Sequence, residues 1–207
     1  MDISMFDEDY KKLEKILVRM DDEDYFYQCI KSDPEHVNVF GKFRKKNDPV
    51  FAADQRSKYF KYQGVGLDVF SLEKSNRFAA HMAKFLYQNL IHPTQYIKNR
   101  FWRHFAIKSV QLLNFGLLIP LCRLIGRINH KGQYRYKLGS GFYQCGFSAE
   151  DILPLRTMEF EGIEFPVPGN TDAYLTKIYG DWRKLPSEEQ IRKTMHYPLY
   201  IKEIFGE

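Results

Sequence analysis

The chain has 207 residues, 44% hydrophobic and 28% charged, which suits one folded domain over 1–207 and excludes a disordered or fibrous chain. A net charge of +5 and a pI near 8.9 favour anionic partners, but the densest basic tract, KFRKK at 42–46, is not the footprint of a nucleic-acid-binding protein, so nucleic acid is set aside. Cys29, Cys122 and Cys145 are far apart, odd in number and without a CxxC pair, which argues against zinc and disulfides and suits a reducing, cytoplasmic setting.

Residues 1–5 read as the end of a strand. Asp7 to Met20 reads as a helix, with Asp7, Glu8 and Asp9 in its first turn and Tyr10, Leu13, Leu17 and Met20 facing inward. The acidic start MDISMFDEDY has no apolar signal-type segment. Short strands are expected over Tyr25–Ile30 and Val37–Arg44, and a polar loop over 45–58. GVGLDVFSL at 64–72 reads as a buried strand.

Arg77 to Ile91 reads as a helix, and Thr94 to about Asn129 as another, broken or kinked near Gly116 and Pro120. The near-apolar run LLNFGLLIPL at 112–121 is too short to span a bilayer and has basic flanks. It reads either as a buried helix with solvated ends or as a membrane-surface helix. Residues 130–157 look irregular. A hairpin is expected around Gly162, ended by Pro166 and Pro168. A short helix capped by Asn170 or Thr171 follows, stopped by Gly180. A last helix begins with a Ser187–Gln190 capping box. The order of elements points to an α+β domain, a mixed β-sheet with flanking helices, rather than a doubly wound sheet.

Two carboxylates stand out. Asp68 lies between Leu67 and Val69 in an apolar strand, and Asp2 between Met1 and Ile3. A carboxylate buried in such a strand needs a cation or a hydrogen-bonded partner; the plainer reading is an Asp on a wet sheet face.

Together with their surroundings these residues resemble a known pattern. MDISMFDEDYKKL is similar to the second half of the motif of the LicD family, in the nucleotidyltransferase-fold superfamily. VFGKFRKKND at 39–48 and GVGLDVFSLE at 64–73 resemble its following strands, and EFEGIEFPVPGNTDAYLTKIYGDWRKLP at 159–186 resembles its C-terminal signature. The resemblance implies transfer of a substituted phosphate, phosphocholine-like, from a CDP-type nucleotide donor such as CDP-choline to a cell-surface glycan. It implies Mg²⁺ as cofactor, with Asp2 and Asp68 as the catalytic, metal-holding pair. Lys42, Arg44, Lys45, Arg192 and His196 are the expected substrate-binding cations. For the first three the alternative is a solvated basic turn, and for Tyr179 and Trp182 it is a place in the core.

The family's glycine loop and first metal carboxylate would precede Met1. The resemblance therefore describes a nucleotidyltransferase-like domain lacking its first elements, and the 207-residue chain is expected to have little transferase activity by itself. Two other expectations stand beside this one: a non-catalytic module that binds a glycan or nucleotide, and a protein peripheral to the inner face of a membrane.

Overall fold

The computed structural model describes residues 2–47, 50–52, 59–141, 144–194 and 199–201. In chain order the elements are β1 (Asp2–Phe6), α1 (Asp7–Leu17), β2 (Tyr25–Gln28), β3 (Gly41–Lys45), β4 (Val50–Ala52), β5 (Gly66–Lys74) and α2 (Arg77–Leu86). A π-turn at Tyr87–Ile91 and a 3₁₀ turn at His92–Tyr96 lead to α3 (Arg100–Leu113). A second π-turn, Asn114–Leu118, joins α3 to α4 (Ile119–Arg127). Then come β6 (Tyr134–Tyr136), α5 (Ala149–Ile152), β7 (Arg156–Phe160), β8 (Ile163–Val167), α6 (Thr171–Tyr179), α7 (Glu188–Thr194) and β9 (Leu199–Ile201).

The main sheet is mixed, with flanking helices. Its order is β1-β5-β3-β2; β1 runs parallel to β5, β3 antiparallel to it, and β6 pairs with the far end of β5. Strand alternation sorts its side chains onto two faces. One face carries Met5, Tyr27, Phe43 and Val69, closed by Tyr10, Leu13 and Leu17 of α1. The other carries Phe6, Phe70 and Leu72, which pack on Phe40, Tyr136, Phe147 and Ile152. Tyr174 of α6 stacks on Phe147, with ring centres 4.3 Å apart, and so fastens the C-terminal segment to this second face.

The register of β2 against β3 depends on Gly41. A Cβ at that position would lie 2.1 Å from the hydroxyl of buried Tyr27, which is itself hydrogen-bonded to Tyr10. The tyrosine ring occupies the volume of a side chain. Gly41→Ala is therefore expected to destabilise the fold by roughly 1–3 kcal/mol through overpacking, read as a lower denaturant midpoint.

Several expectations need revision. The strand expected over Val37–Arg44 begins only at Gly41. Ahead of it Asp33 accepts the Glu35 N–H, and the His36 ring meets the Phe40 carbonyl at 2.8 Å. These local bonds hold a turn instead of a ladder. The expected loop at 45–58 contains β4, paired with β9, and the irregular stretch at 130–157 contains β6 and α5. Pro166 lies inside β8, opposite Thr157, rather than ending it. A two-stranded ribbon has only edge strands, where a missing N–H is tolerated.

The long helix departs most from expectation. The apolar run at 112–121 is only partly buried: Asn114 and Ile119 turn inward, but Leu112, Leu113, Leu117 and Leu121 are all exposed. Counted with its neighbours, the helical stretch Arg100–Arg127 is long and apolar enough to cross a membrane by length and composition. Buried on its inner side are Arg103, Ile107, Gln111, Asn114, Ile119, Cys122 and Gly126. Gly126 meets α2, where a Cβ would touch Ala79 and Ser75.

Candidate functional site

The first link between the candidate residues is register. Asp2 on β1 is the direct partner of Asp68 on β5, and Asp68 is the direct partner of Lys42 on β3. Lys42 in turn faces Gln28 on β2. Side chains abreast in one row share one face of the sheet. Asp2, Asp68, Lys42 and Gln28 therefore cross all four strands, just beyond the apolar patch of Phe70 and Phe40.

The row is a charge network. Lys42 Nζ donates to Asp68 Oδ1, and both side chains are about one-fifth exposed (24% and 18%). The same ammonium lies 5.5 Å from the centre of the Phe40 ring. Two residues along β3, Arg44 returns to the same face. Its Nε donates to Gln28 Oε1 at 2.6 Å and its Nη1 to the Gly64 carbonyl at 2.8 Å. Gln28 passes the connection on by donating to Asp33 Oδ2 at 2.7 Å, and the Lys61 N–H donates to the same oxygen at 3.0 Å.

Asp2 is at the open end of this row and exposed to solvent. Partial desolvation first, and the charge of Asp68 second, push its carboxyl above the usual range, with Lys42 pulling the other way. A cation beside Asp2 would offset the repulsion its carboxylate feels from Asp68. Both offer hard oxygen ligands, the kind Mg²⁺ prefers, and Mg²⁺ keeps several waters, so two protein carboxylates fit its needs. Among the described residues no group of three or more His, Cys, Asp or Glu is gathered in a metal-ligating arrangement.

The remaining predicted cations divide. Lys42 and Arg44 join the carboxylate face. Lys45 does not: it alternates to the opposite face, opposite Tyr25, and is exposed. Odd and even positions of one strand cannot serve one site. The side chain of Arg192, on α7, and all of His196 lie outside the described residues.

In the C-terminal signature, Tyr179 and Trp182 are on the surface rather than in the core, at 59% and 37% exposed. Trp182 donates to Asp172, and Arg183 lies over its ring. The signature meets the sheet through Tyr174 instead. The Tyr174 and Tyr136 hydroxyls are 3.1 Å apart. Burial pushes both phenols up, so they act as neutral hydrogen-bonding groups there.

Sequence reasoning passed over Gln28, Asp33 and His36. Their one visible signal is polarity inside otherwise apolar or aromatic stretches. A broad, open cleft lies beyond them, among Asp33, Glu35, Tyr59, Lys61, Arg100 and His104. It does not contain Asp2 or Asp68, which stand on an open face. Geometry and charge, rather than depth of cleft, single out the carboxylate row.

Comparisons with protein-family models, with curated proteins and with solved structures found no match for this chain.

Proposed function

We propose that the carboxylate face binds the phosphate portion of a nucleotide together with Mg²⁺, in a nucleotidyltransferase-like domain built for moving a substituted phosphate from a CDP-type donor to a glycan. The observation that carries this reading is the direct pairing of Asp2 with Asp68, with Lys42 next in the row. Asp2 and Asp68 would hold the metal, which when bound supplies positive charge at the donor's phosphate oxygens. Lys42 is already ion-paired with Asp68; a phosphate oxygen brought to the row would share that ammonium. Arg44, fixed by Gln28 and Gly64, keeps a planar cation on the same face. The face is open enough for a bulky glycan acceptor; an acceptor hydroxyl would form the new bond to the substituted phosphate, lose its proton to solvent, and displace CMP as the bond to the nucleotide breaks. The cytoplasm is the compartment this reading assigns, since the nucleotide donor is made there.

Calorimetry tests the reading. CDP-choline is expected to bind in the presence of Mg²⁺ and to lose about tenfold or more of its affinity when Mg²⁺ is removed, since the binding energy rests on charge neutralisation. The isosteric Asp68→Asn variant is expected to abolish the Mg²⁺ dependence while keeping the fold. Binding that is equally tight without metal and in Asp68→Asn would overturn the metal assignment and favour a non-catalytic nucleotide-binding module, the second reading. That module has one observation on its side: Lys42 is ion-paired with Asp68.

A further inference from the structure

The long helix is mixed on its inner side and apolar on its outer side. In Arg100–Arg127 the fold buries Arg103, Gln111 and Asn114, at 1%, 8% and 0% exposure, together with Ile107, Ile119 and Cys122. To water it shows Phe101, Phe105, Leu112, Leu117, Leu121 and Leu124, of which Leu112 is 78% exposed. A water-facing helix normally has the opposite arrangement.

These apolar side chains form one continuous stripe. They recur at helical spacing except for a five-residue step from Leu112 to Leu117, and that step falls in the π-turn Asn114–Leu118. A π-turn absorbs one extra residue, so the second half of the helix is rotated back into phase with the first. The stripe runs for about 35 Å at roughly 1.5 Å per residue. An apolar surface of that extent on a folded domain marks an interaction site.

Its border is all basic. Lys98, Arg100, Lys108, Arg127 and Lys131 are exposed along or beside the helix. Between Glu73 and Glu150 the sequence has twelve Lys or Arg and no Asp or Glu. The whole chain carries only +5, so positive charge is concentrated on this helical half and negative charge elsewhere.

We propose that this face docks on an anionic lipid bilayer, with the helix lying flat in the headgroup region. The helix does not span: Arg103 on its inner side is ion-paired with Glu35, and α4 packs on α2, so crossing would strip both contacts. A second copy of the chain is a poor occupant, because a two-fold contact would bring two all-basic borders together. The stripe also presents hydrocarbon and no pattern of hydrogen-bonding groups with which a protein partner could fix a register. Trp102, 59% exposed near the basic start of the helix, is suited to the headgroup level. Lys108 can reach past the stripe to phosphate. The inference stands without the transferase reading.

Sedimentation of the full chain with phosphatidylcholine vesicles, with and without phosphatidylglycerol, tests it. The chain is expected to sediment with the anionic vesicles, to be released in part by salt, and to show a blue shift of Trp102 emission, measured in a Trp182→Phe background. The double variant Leu117→Glu, Leu121→Glu is expected to lose about tenfold or more in partitioning, with unchanged circular dichroism because both side chains already face outward. The proposal is overturned by absence of sedimentation with anionic vesicles, by undiminished binding of the double variant, or by sedimentation without a Trp102 shift. It is overturned equally by a wild-type dimer that the double variant makes monomeric, which would give the stripe to a second copy.

Discussion

The Arg103→Ala variant is expected to lose about 3–5 kcal/mol of unfolding free energy, a large share of a typical domain's total. Among the described residues, Arg103 is the largest side chain that the fold buries completely. Its guanidinium grips Glu35 with two bonds, Nε to Oε2 at 2.9 Å and Nη2 to Oε1 at 3.2 Å, and Nη1 donates to the Ile97 carbonyl. Tyr59 lies against its face, 3.2 Å from the ring centre. Only 10% of the Glu35 side chain is exposed. Truncating the arginine strands that carboxylate in a poorly solvated place, and most of the cost is the stranded charge rather than the lost attraction. Removing both partners, as Arg103→Met with Glu35→Leu, is therefore expected to recover most of the loss. Urea unfolding of the single and double variants measures this directly. A loss below about 1 kcal/mol in Arg103→Ala would place the pair among ordinary surface ion pairs, and the anchoring of the long helix would need another explanation.

The second large effect is loss of stability in mild acid. His36 is fully buried, its Nε2–H donates to the Phe40 carbonyl, and its Nδ1 has no partner among the described residues. Burial, with Lys42 and Arg44 also opposing charge, lowers its pKa to about 4, against the help of Phe40 and Asp33. Above pH 6.5, the ordinary value, the imidazole is neutral whether the chain is folded or not. Between pH 6.5 and about 4 the unfolded chain binds a proton that the folded chain refuses, so stability falls as pH falls. The slope approaches about 1.4 kcal/mol per pH unit and totals about 3 kcal/mol over the window.

Carboxylates act lower on the scale. Burial alone would raise the Asp7 carboxyl, but Lys11, Lys137 and Ser71 outweigh it and hold the carboxyl below its ordinary 3.8. Its contribution is present above that value and is lost as pH falls further, outside the histidine window. His36→Gln keeps a donor for Phe40 without the titration. Denaturant unfolding from pH 7 to 4.5 is expected to show a steep decline in the wild type and a much shallower one in the variant. Parallel curves would mean that His36 is protonated, or solvated, in the folded chain.

These two residues also show where sequence reading stops. Both read as polar residues of no evident role. His36 falls between the two strands expected over Tyr25–Ile30 and Val37–Arg44, and Arg103 in the basic flank of the apolar run. Their importance comes from partners 4 and 68 positions away, respectively. Lys45 makes the same point at shorter range. It belongs with Lys42 and Arg44 by composition, yet alternation sends it to the other face.

What the sequence determined by itself was local. The dipole-suited start of α1, the Asn170 cap on α6 with Gly180 at its end, and the reciprocal Ser187–Gln190 bonds depend on residues within a turn or two of one another. The turn at Gly162 and the apolar strand around Asp68 were legible for the same reason. Tertiary structure alone decided that Asp2 lies beside Asp68, 66 positions later, since register is set by packing on both sheet faces. It also decided which side of Arg100–Arg127 turns inward. Helical periodicity separates two faces but does not say which one the fold will cover; here the buried Arg103–Glu35 pair and the contact of α4 with α2 turned the side carrying Arg103, Gln111 and Asn114 in and left a hydrocarbon stripe out.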